Sequence, residues 1–145
     1  MRTVIPYLNF RSETAEAMRF YGSVFRAQPE VIRFRDFGDH GAGLPEGEKD
    51  LVMHAYLPLG GGKALMASDV PESMGFPFHA GNNVHIMLDA EDAAEARRLY
   101  ERLAEGGEVH MELAEVDWAE LYANLKDRYG VHWMINYTGN KAQAQ

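Results

Sequence analysis

The sequence contains no cysteine, and this absence excludes a thiol nucleophile, thiolate metal ligands and disulfide bonds. Basic residues are scarce: 14 Lys and Arg stand against 22 Asp and Glu, which gives a net charge of -8 and leaves little for the basic face that nucleic-acid binding requires. No apolar run approaches the roughly 20 residues of a membrane-spanning helix, and the N-terminal residues lack the apolar core of a secretion signal. We therefore expect a cytoplasmic protein without nucleic-acid or membrane partners.

The chain carries an internal repeat. The motif AEAMRFY at 15–21 recurs as AEARRLY at 94–100, with five of seven positions identical. An apolar stretch precedes each copy, at 4–10 and at 84–90, and a Glu-Val pair that opens another apolar stretch follows each copy. Three matched elements in the same order favour an internal duplication over a chance match.

The repeat predicts two modules within one domain that covers 1–145. In the first module, 51–59 and 63–70 flank three glycines and are typical of a β-hairpin. We predict one module over about 1–70 and a second over about 82–138.

The local signals place the helices. The first helix is expected to start at Ser12 or Thr14, both suitable N-caps, since hydroxyl side chains accept hydrogen bonds from free backbone N–H groups. Asp92 and Glu95 have the spacing of a capping box, which predicts the start of the second helix.

One segment gives conflicting signals. Residues 118–129 are rich in Ala, Leu, Glu and Lys, which favours a helix. The repeat requires strands there, and we predict strands at 121–126 and 131–137. Each module is then βαβββ. The expected fold is α+β, with two such modules forming a curved eight-stranded half-barrel around a central cleft.

Three motifs carry a family resemblance: PYLNF at 6–10, LMASD at 65–69 and YGVHWMINY at 129–137. With these motifs and this architecture the chain resembles the vicinal-oxygen-chelate superfamily of glyoxalases, bleomycin-resistance proteins and extradiol dioxygenases, and within it the PhnB-like branch. The resemblance implies a homodimer, because members are commonly dimers.

The resemblance also implies a place for a metal. Metal-using members hold a divalent ion with a His on the first strand and a Glu on the last strand of each module. Here those places fall on Ile5, Met66, His85 and Met134. One imidazole is a poor site for such an ion, so we expect no metal cofactor; if a metal binds, His85 is its ligand.

Strand alternation assigns several polar, aromatic and thioether side chains to the faces that would line the cleft, but it leaves open which face of the strand at 51–59, with His54, does so. We predict that they bind a small molecule: Tyr7, Asn9, His54, His85, Trp118, Tyr122, Met134 and Asn136. The remaining histidines are expected to be solvated: His40, His79, His110 and His132.

Three functions remain open. The first is a PhnB-like protein with a degenerate metal site that binds a small molecule. The alternative is a lyase, isomerase or dioxygenase for a substrate with vicinal oxygens, with one divalent ion held by His85, His54 and an acid such as Asp69. A third uses His85 as a general base without a cofactor. GDHGAG at 38–43 is not followed by a helix, so no nucleotide or methyl-donor site is expected there.

Overall fold

The computed structural model describes residues 1–41 and 43–141, including all of their side chains except those of residues 39–41. The chain forms two compact units, an N-terminal unit of residues 1–79 and a C-terminal unit of residues 80–145. Each unit contains one helix and one four-stranded mixed sheet, so the predicted α+β class and the βαβββ order of both modules are confirmed.

In the N-terminal unit the sheet order is β1-β4-β3-β2, with β1 parallel to β4. Its elements are β1 (Tyr7–Phe10), α1 (Thr14–Phe25), β2 (Glu30–Arg33), β3 (Val52–Gly60) and β4 (Lys63–Asp69).

In the C-terminal unit the order β5-β8-β7-β6 repeats that topology, with β5 parallel to β8. Its elements are β5 (Ile86–Asp89), α2 (Ala93–Ala104), β6 (Glu108–Val116), β7 (Ala119–Lys126) and β8 (His132–Tyr137). Both α-helices have 12 residues, and no helix in the described residues is long and apolar enough to cross a membrane.

The register shows which positions of the two units correspond. Tyr7 pairs with Met66, and Met87 pairs with Met134. Tyr7 and Met87 are the positions that the repeat aligns, so Met66 and Met134 occupy equivalent places in the two sheets. Each sheet therefore presents a methionine on its inner parallel strand, next to the first strand of the unit.

Each helix packs on one face of its own sheet. In α1 the buried side chains include Met18, Tyr21 and Val24, which follow the helical period. In α2, Ala96, Leu99 and Leu103 are buried. The opposite face of each sheet is called the helix-free face below.

The segment with conflicting signals is a strand, as predicted. In β7 the buried apolar residues recur with a period of two, at Ala119, Leu121, Ala123 and Leu125. A helix would have spread these four residues around its circumference, whereas a strand places all of them on one face. Burial of that face outweighs the helical propensity of Ala, Leu, Glu and Lys.

The helix starts agree only in part with the prediction. Asp92 accepts a hydrogen bond from the Glu95 backbone N–H at 2.7 Å, which confirms the N-terminus of α2. α1 begins at Thr14, one of the two predicted starts, but the predicted cap is wrong, because Glu13 is the N-cap residue and neither Ser12 nor Thr14 caps the helix. The Thr14 backbone N–H donates instead to Asp69 Oδ1 of β4 at 3.0 Å. A carboxylate 55 positions away in the sequence thus takes the role of the local cap.

Candidate ligand-binding site

The helix-free face of the N-terminal sheet brings Tyr7, Asn9 and His54 together. The Tyr7 hydroxyl lies 3.1 Å from His54 Nδ1, and the two ring centroids are 5.8 Å apart. The Ser68 hydroxyl donates to Asn9 Oδ1 at 3.3 Å. Alternation along β3 left the face of His54 open, and the contact with Tyr7 assigns it to the face that carries the predicted binding residues of β1.

The helix-free face of the C-terminal sheet brings together five other predicted residues: His85, Trp118, Tyr122, Met134 and Asn136. Tyr122 pairs with Asn136 across β7 and β8. The rings of Trp118 and Tyr122 meet edge to face, with centroids 5.1 Å apart. Tyr122 is buried, whereas Trp118 is 46% exposed.

Two amide oxygens on this face have no hydrogen-bond partner. Asn136 donates from Nδ2 to Asp89 Oδ1 at 3.1 Å and to Thr138 Oγ1 at 3.3 Å, and these bonds fix the orientation of the amide. Its Oδ1 is then an acceptor that is buried and unpartnered in the described part of the chain. Asn124 Oδ1 is also buried without a partner. Asn124 pairs with Met134, so the two amides are diagonal neighbours on one face.

His132 lies in the same sheet, and the prediction that it is solvated is wrong. It is 8% exposed, and its Nδ1 has no hydrogen-bond partner among the described residues. Its ring centroid lies 5.1 Å from that of His85 and 5.7 Å from that of His110. Burial lowers the pKa of His132 below its ordinary value, and the nearby His85, His110 and Lys126 lower it further.

The sequence contains a pattern that predicts where His132 lies. His132 is two and four residues before Met134 and Asn136, so strand alternation places all three on one face. Of the other histidines expected to be solvated, His79 is exposed, and His110 contacts Glu108 with its Nε2 at 3.3 Å from Oε1. The side chain of His40 lies outside the described residues.

The metal positions implied by the resemblance do not fit a divalent ion. They hold two thioethers, one alkyl chain and a single imidazole, whereas such ions prefer nitrogen or carboxylate oxygen ligands. In the described residues no group of three or more His, Asp or Glu side chains is arranged to hold a metal.

The suggestion that Asp69 completes a metal site is wrong. Its Oδ1 accepts from the Thr14 N–H, and its Oδ2 accepts from the Val52 N–H at 2.8 Å. Asp69 is 4% exposed and follows Ser68 in β4, so alternation turns it away from the face of His54.

Comparison with known proteins identifies the family. The family model described as 3-demethylubiquinone-9 3-methyltransferase matches residues 2–136. The chain belongs to this PhnB-like family. The structure of PA1353 from Pseudomonas aeruginosa is 37% identical with a TM-score of 0.79, and the match covers 93% of this chain and 96% of that one. A PhnB protein from Bacillus cereus is 26% identical with a TM-score of 0.65, covering 93% and 98%.

Two further relatives place the family in a wider context. The protein YjdN of Escherichia coli (strain K12) is 27% identical over an alignment of 141 positions, which covers 90% of this chain and 92% of that protein. A glyoxylase/bleomycin resistance protein/dioxygenase domain from Frankia is 15% identical with a TM-score of 0.62, covering 94% of this chain and 96% of that one, and it shares the fold. The predicted resemblance to the PhnB-like branch is confirmed, and the fold is that of the glyoxylase/bleomycin resistance protein/dioxygenase domain.

The family name denotes a methyl transfer. Sites for methyl donors with a Rossmann-type fold use a glycine-rich turn between a strand and a helix. The two strand-to-helix connections here are Arg11-Ser12-Glu13 and Ala90-Glu91-Asp92, and neither contains glycine. We therefore place the candidate functional site on the helix-free faces rather than at a strand-to-helix turn.

Proposed function

We propose that the protein binds a small, partly apolar molecule on the helix-free face of the C-terminal sheet, without a metal ion. The observation that carries the proposal is the pair of buried, unpartnered amide oxygens of Asn124 and Asn136. Leaving a buried acceptor unpaired costs about 1–3 kcal/mol, so two unpaired acceptors on one face strongly favour the binding of a hydrogen-bond donor. A ligand with a hydroxyl, amine or amide N–H group supplies that donor.

The surrounding side chains define the rest of the ligand. Trp118, Tyr122 and Met134 offer aromatic and thioether surface beside the two amides. Binding sites for small molecules commonly combine such apolar walls with a few convergent polar groups. The ligand class is therefore a molecule with an apolar or aromatic body and one or two hydrogen-bond donors. A central cleft between the modules stays a prediction.

Tryptophan fluorescence tests this proposal, because the two tryptophans, Trp118 and Trp133, both belong to the C-terminal unit. A fragment library of aromatic alcohols, phenols and amines is titrated while tryptophan emission is recorded. Any hit should bind at least tenfold more weakly to Asn124→Ala, because its donor loses the acceptor. Asn140→Ala is the matched control, since Asn140 is exposed and its backbone N–H donates to Glu120. Equal affinity for both variants would refute the proposal.

The alternative, a divalent-metal enzyme acting on vicinal oxygens, rests on the family resemblance. The imidazoles of His85, His132 and His110 are neighbours, but among the described residues they are not arranged to hold a metal. Elemental analysis of wild type and His85→Ala, both purified without chelator or nickel resin, separates the two functions. About one metal ion per chain in wild type, lost in the variant, would favour the metalloenzyme.

We also propose a homodimer. The outer strand of the C-terminal sheet, β6, has nine residues, and most of them are exposed on both faces, including Val109 and Met111. A long exposed edge with apolar side chains is a surface that proteins normally cover. Light scattering should give twice the chain mass of 16.3 kDa, and Met111→Lys should shift the mass toward the monomer. A mass of one chain at all concentrations would refute the dimer.

A further inference from the structure

A cavity belongs entirely to the N-terminal unit. It has a volume of about 450 Å³ and lies where the end of β4 continues into residues 70–77. Ligand sites in proteins are typically a few hundred Å³ in volume. Its apolar wall is formed by Phe34, Met53, Met74 and Phe76 among the lining residues. Methionine side chains are flexible and polarisable, so this wall can adapt to ligands of different shape.

The polar groups of the cavity indicate a neutral ligand. Asp69 is the one charged residue among the described lining residues, and both of its carboxylate oxygens accept backbone N–H groups. Because Asp69 is only 4% exposed, the described lining residues present no accessible charged group to an ionic ligand. Asn9 and Ser68 contribute one amide and one hydroxyl, which are hydrogen-bonded to each other. This pair offers a single place for a hydrogen-bonding group.

We propose that this cavity is a second binding site, which takes a neutral, largely apolar molecule with one hydrogen-bonding group near Asn9 and Ser68. The site goes beyond the proposed function, because its residues are separate from those of the C-terminal sheet. Met74 and Phe76 are 45% and 60% exposed, and a ligand in the cavity would cover apolar surface that water now contacts.

Two hydrogen bonds hold the segment that carries Met74 and Phe76. The Ser73 hydroxyl and backbone N–H both donate to the Glu48 carboxylate, the latter at 3.3 Å. Gly75 follows with a φ of 75°, a left-handed conformation that lets the chain turn between Met74 and Phe76. Glu48 does not line the cavity, so its removal loosens the segment without changing the wall.

The probe for this site is N-phenyl-1-naphthylamine, a neutral aromatic amine whose fluorescence rises in apolar surroundings. We expect saturable binding of one molecule per chain. Met74→Ser should weaken binding about tenfold, whereas Val84→Ser should not. Val84 is the matched control, because it is an apolar residue that is 72% exposed but lies in the C-terminal unit, outside the proposed sites and outside β6. Absence of saturable binding, or equal weakening by both variants, would overturn the proposal.

Two more variants complete the test. Glu48→Ala should raise the dissociation rate of the probe several-fold, and Glu72→Ala, which changes an exposed acid on the same segment, should leave it unchanged. Asn124→Ala should also leave the affinity for this probe unchanged. If Asn124→Ala weakens the probe and Met74→Ser does not, the probe occupies the C-terminal sheet and the second site is refuted. The fragment screen on tryptophan emission tests the C-terminal sheet, so a screen without hits would not change the result of the probe experiment on this cavity.

Discussion

Replacing Asp69 tests how the N-terminal unit is held together. Its buried carboxylate joins three elements, because it belongs to β4, caps α1 through the Thr14 N–H, and accepts the Val52 N–H at the start of β3. Asp69→Ala removes both acceptors and leaves two backbone donors without a partner in the interior. We expect a large loss of stability with little change in secondary structure.

The magnitude follows from the two hydrogen bonds. A bond to a charged group contributes about 1.5–3 kcal/mol, and loss of a helix N-cap costs about 0.5–2 kcal/mol. Because the cap bond is one of the two, the sum for Asp69→Ala is about 2–5 kcal/mol. Asp69→Asn keeps one acceptor oxygen but turns an NH₂ group toward the other backbone donor, so we expect about 2 kcal/mol. Domains of this size have about 5–15 kcal/mol in total, and both variants are expected to fold.

Urea unfolding followed by circular dichroism at 222 nm measures these free energies. Asp117→Ala is the control, because Asp117 is exposed in the turn between β6 and β7 and the change should stay within about 0.5 kcal/mol. A loss for Asp69→Ala equal to that of Asp117→Ala would refute the role of Asp69 as a shared acceptor. If Asp69→Asn loses more stability than Asp69→Ala, the reasoning about the two carboxylate oxygens of Asp69 is refuted.

Three further predictions concern single residues. The pKa of His132 is lowered in the folded chain, so the unfolded chain binds more protons below about pH 6.5. The contribution of His132 to the free energy of unfolding is complete above that pH and falls by up to about 1.4 kcal/mol per pH unit down to the folded pKa. Urea unfolding measures the decrease in this free energy between about pH 7.5 and pH 5.5, and the decrease should be smaller in His132→Gln than in wild type. Thr14→Val should raise the free energy of unfolding by up to about 1 kcal/mol, because the buried Thr14 hydroxyl has no partner among the described residues. Gly107→Ala should lower the melting temperature, since the added Cβ would lie 2.2 Å from the Lys126 carbonyl oxygen, whereas Gly47→Ala, where the methyl meets open space, should not.

The fold could be predicted because its signals are local and repeated. The apolar stripes of both helices, the glycine-rich hairpin before Lys63 and the capping box at Asp92 each involve residues close in sequence. The repeat then decided the identity of β7, where composition alone favoured a helix. A period of two in the buried residues of that strand is the physical reason that the repeat was the better guide.

The rest depended on contacts between distant residues. The cap of α1 comes from Asp69, and no local pattern around Ser12 and Thr14 predicts an acceptor that reaches the helix from another strand. His132 was expected to be solvated because a lone histidine gives no sign of its neighbours, and His85 is 47 positions away. The cavity in the N-terminal unit depends on residues from several elements, of which the sequence singled out only Asn9 for ligand binding.

The two equivalent methionines are the chemical reason for proposing a small organic ligand rather than a metal ion on the helix-free faces. The resemblance implies carboxylates at the places of Met66 and Met134, and each of those places carries a thioether in the same register. A thioether is a weak ligand for a hard cation, but it gives favourable contacts to aromatic rings and carries no charge. The polar atoms around Met134 are amide oxygens rather than carboxylates, and they demand hydrogen-bond donors. An uncharged body contacting Met134, with a donor directed to Asn124 or Asn136, satisfies both requirements at once.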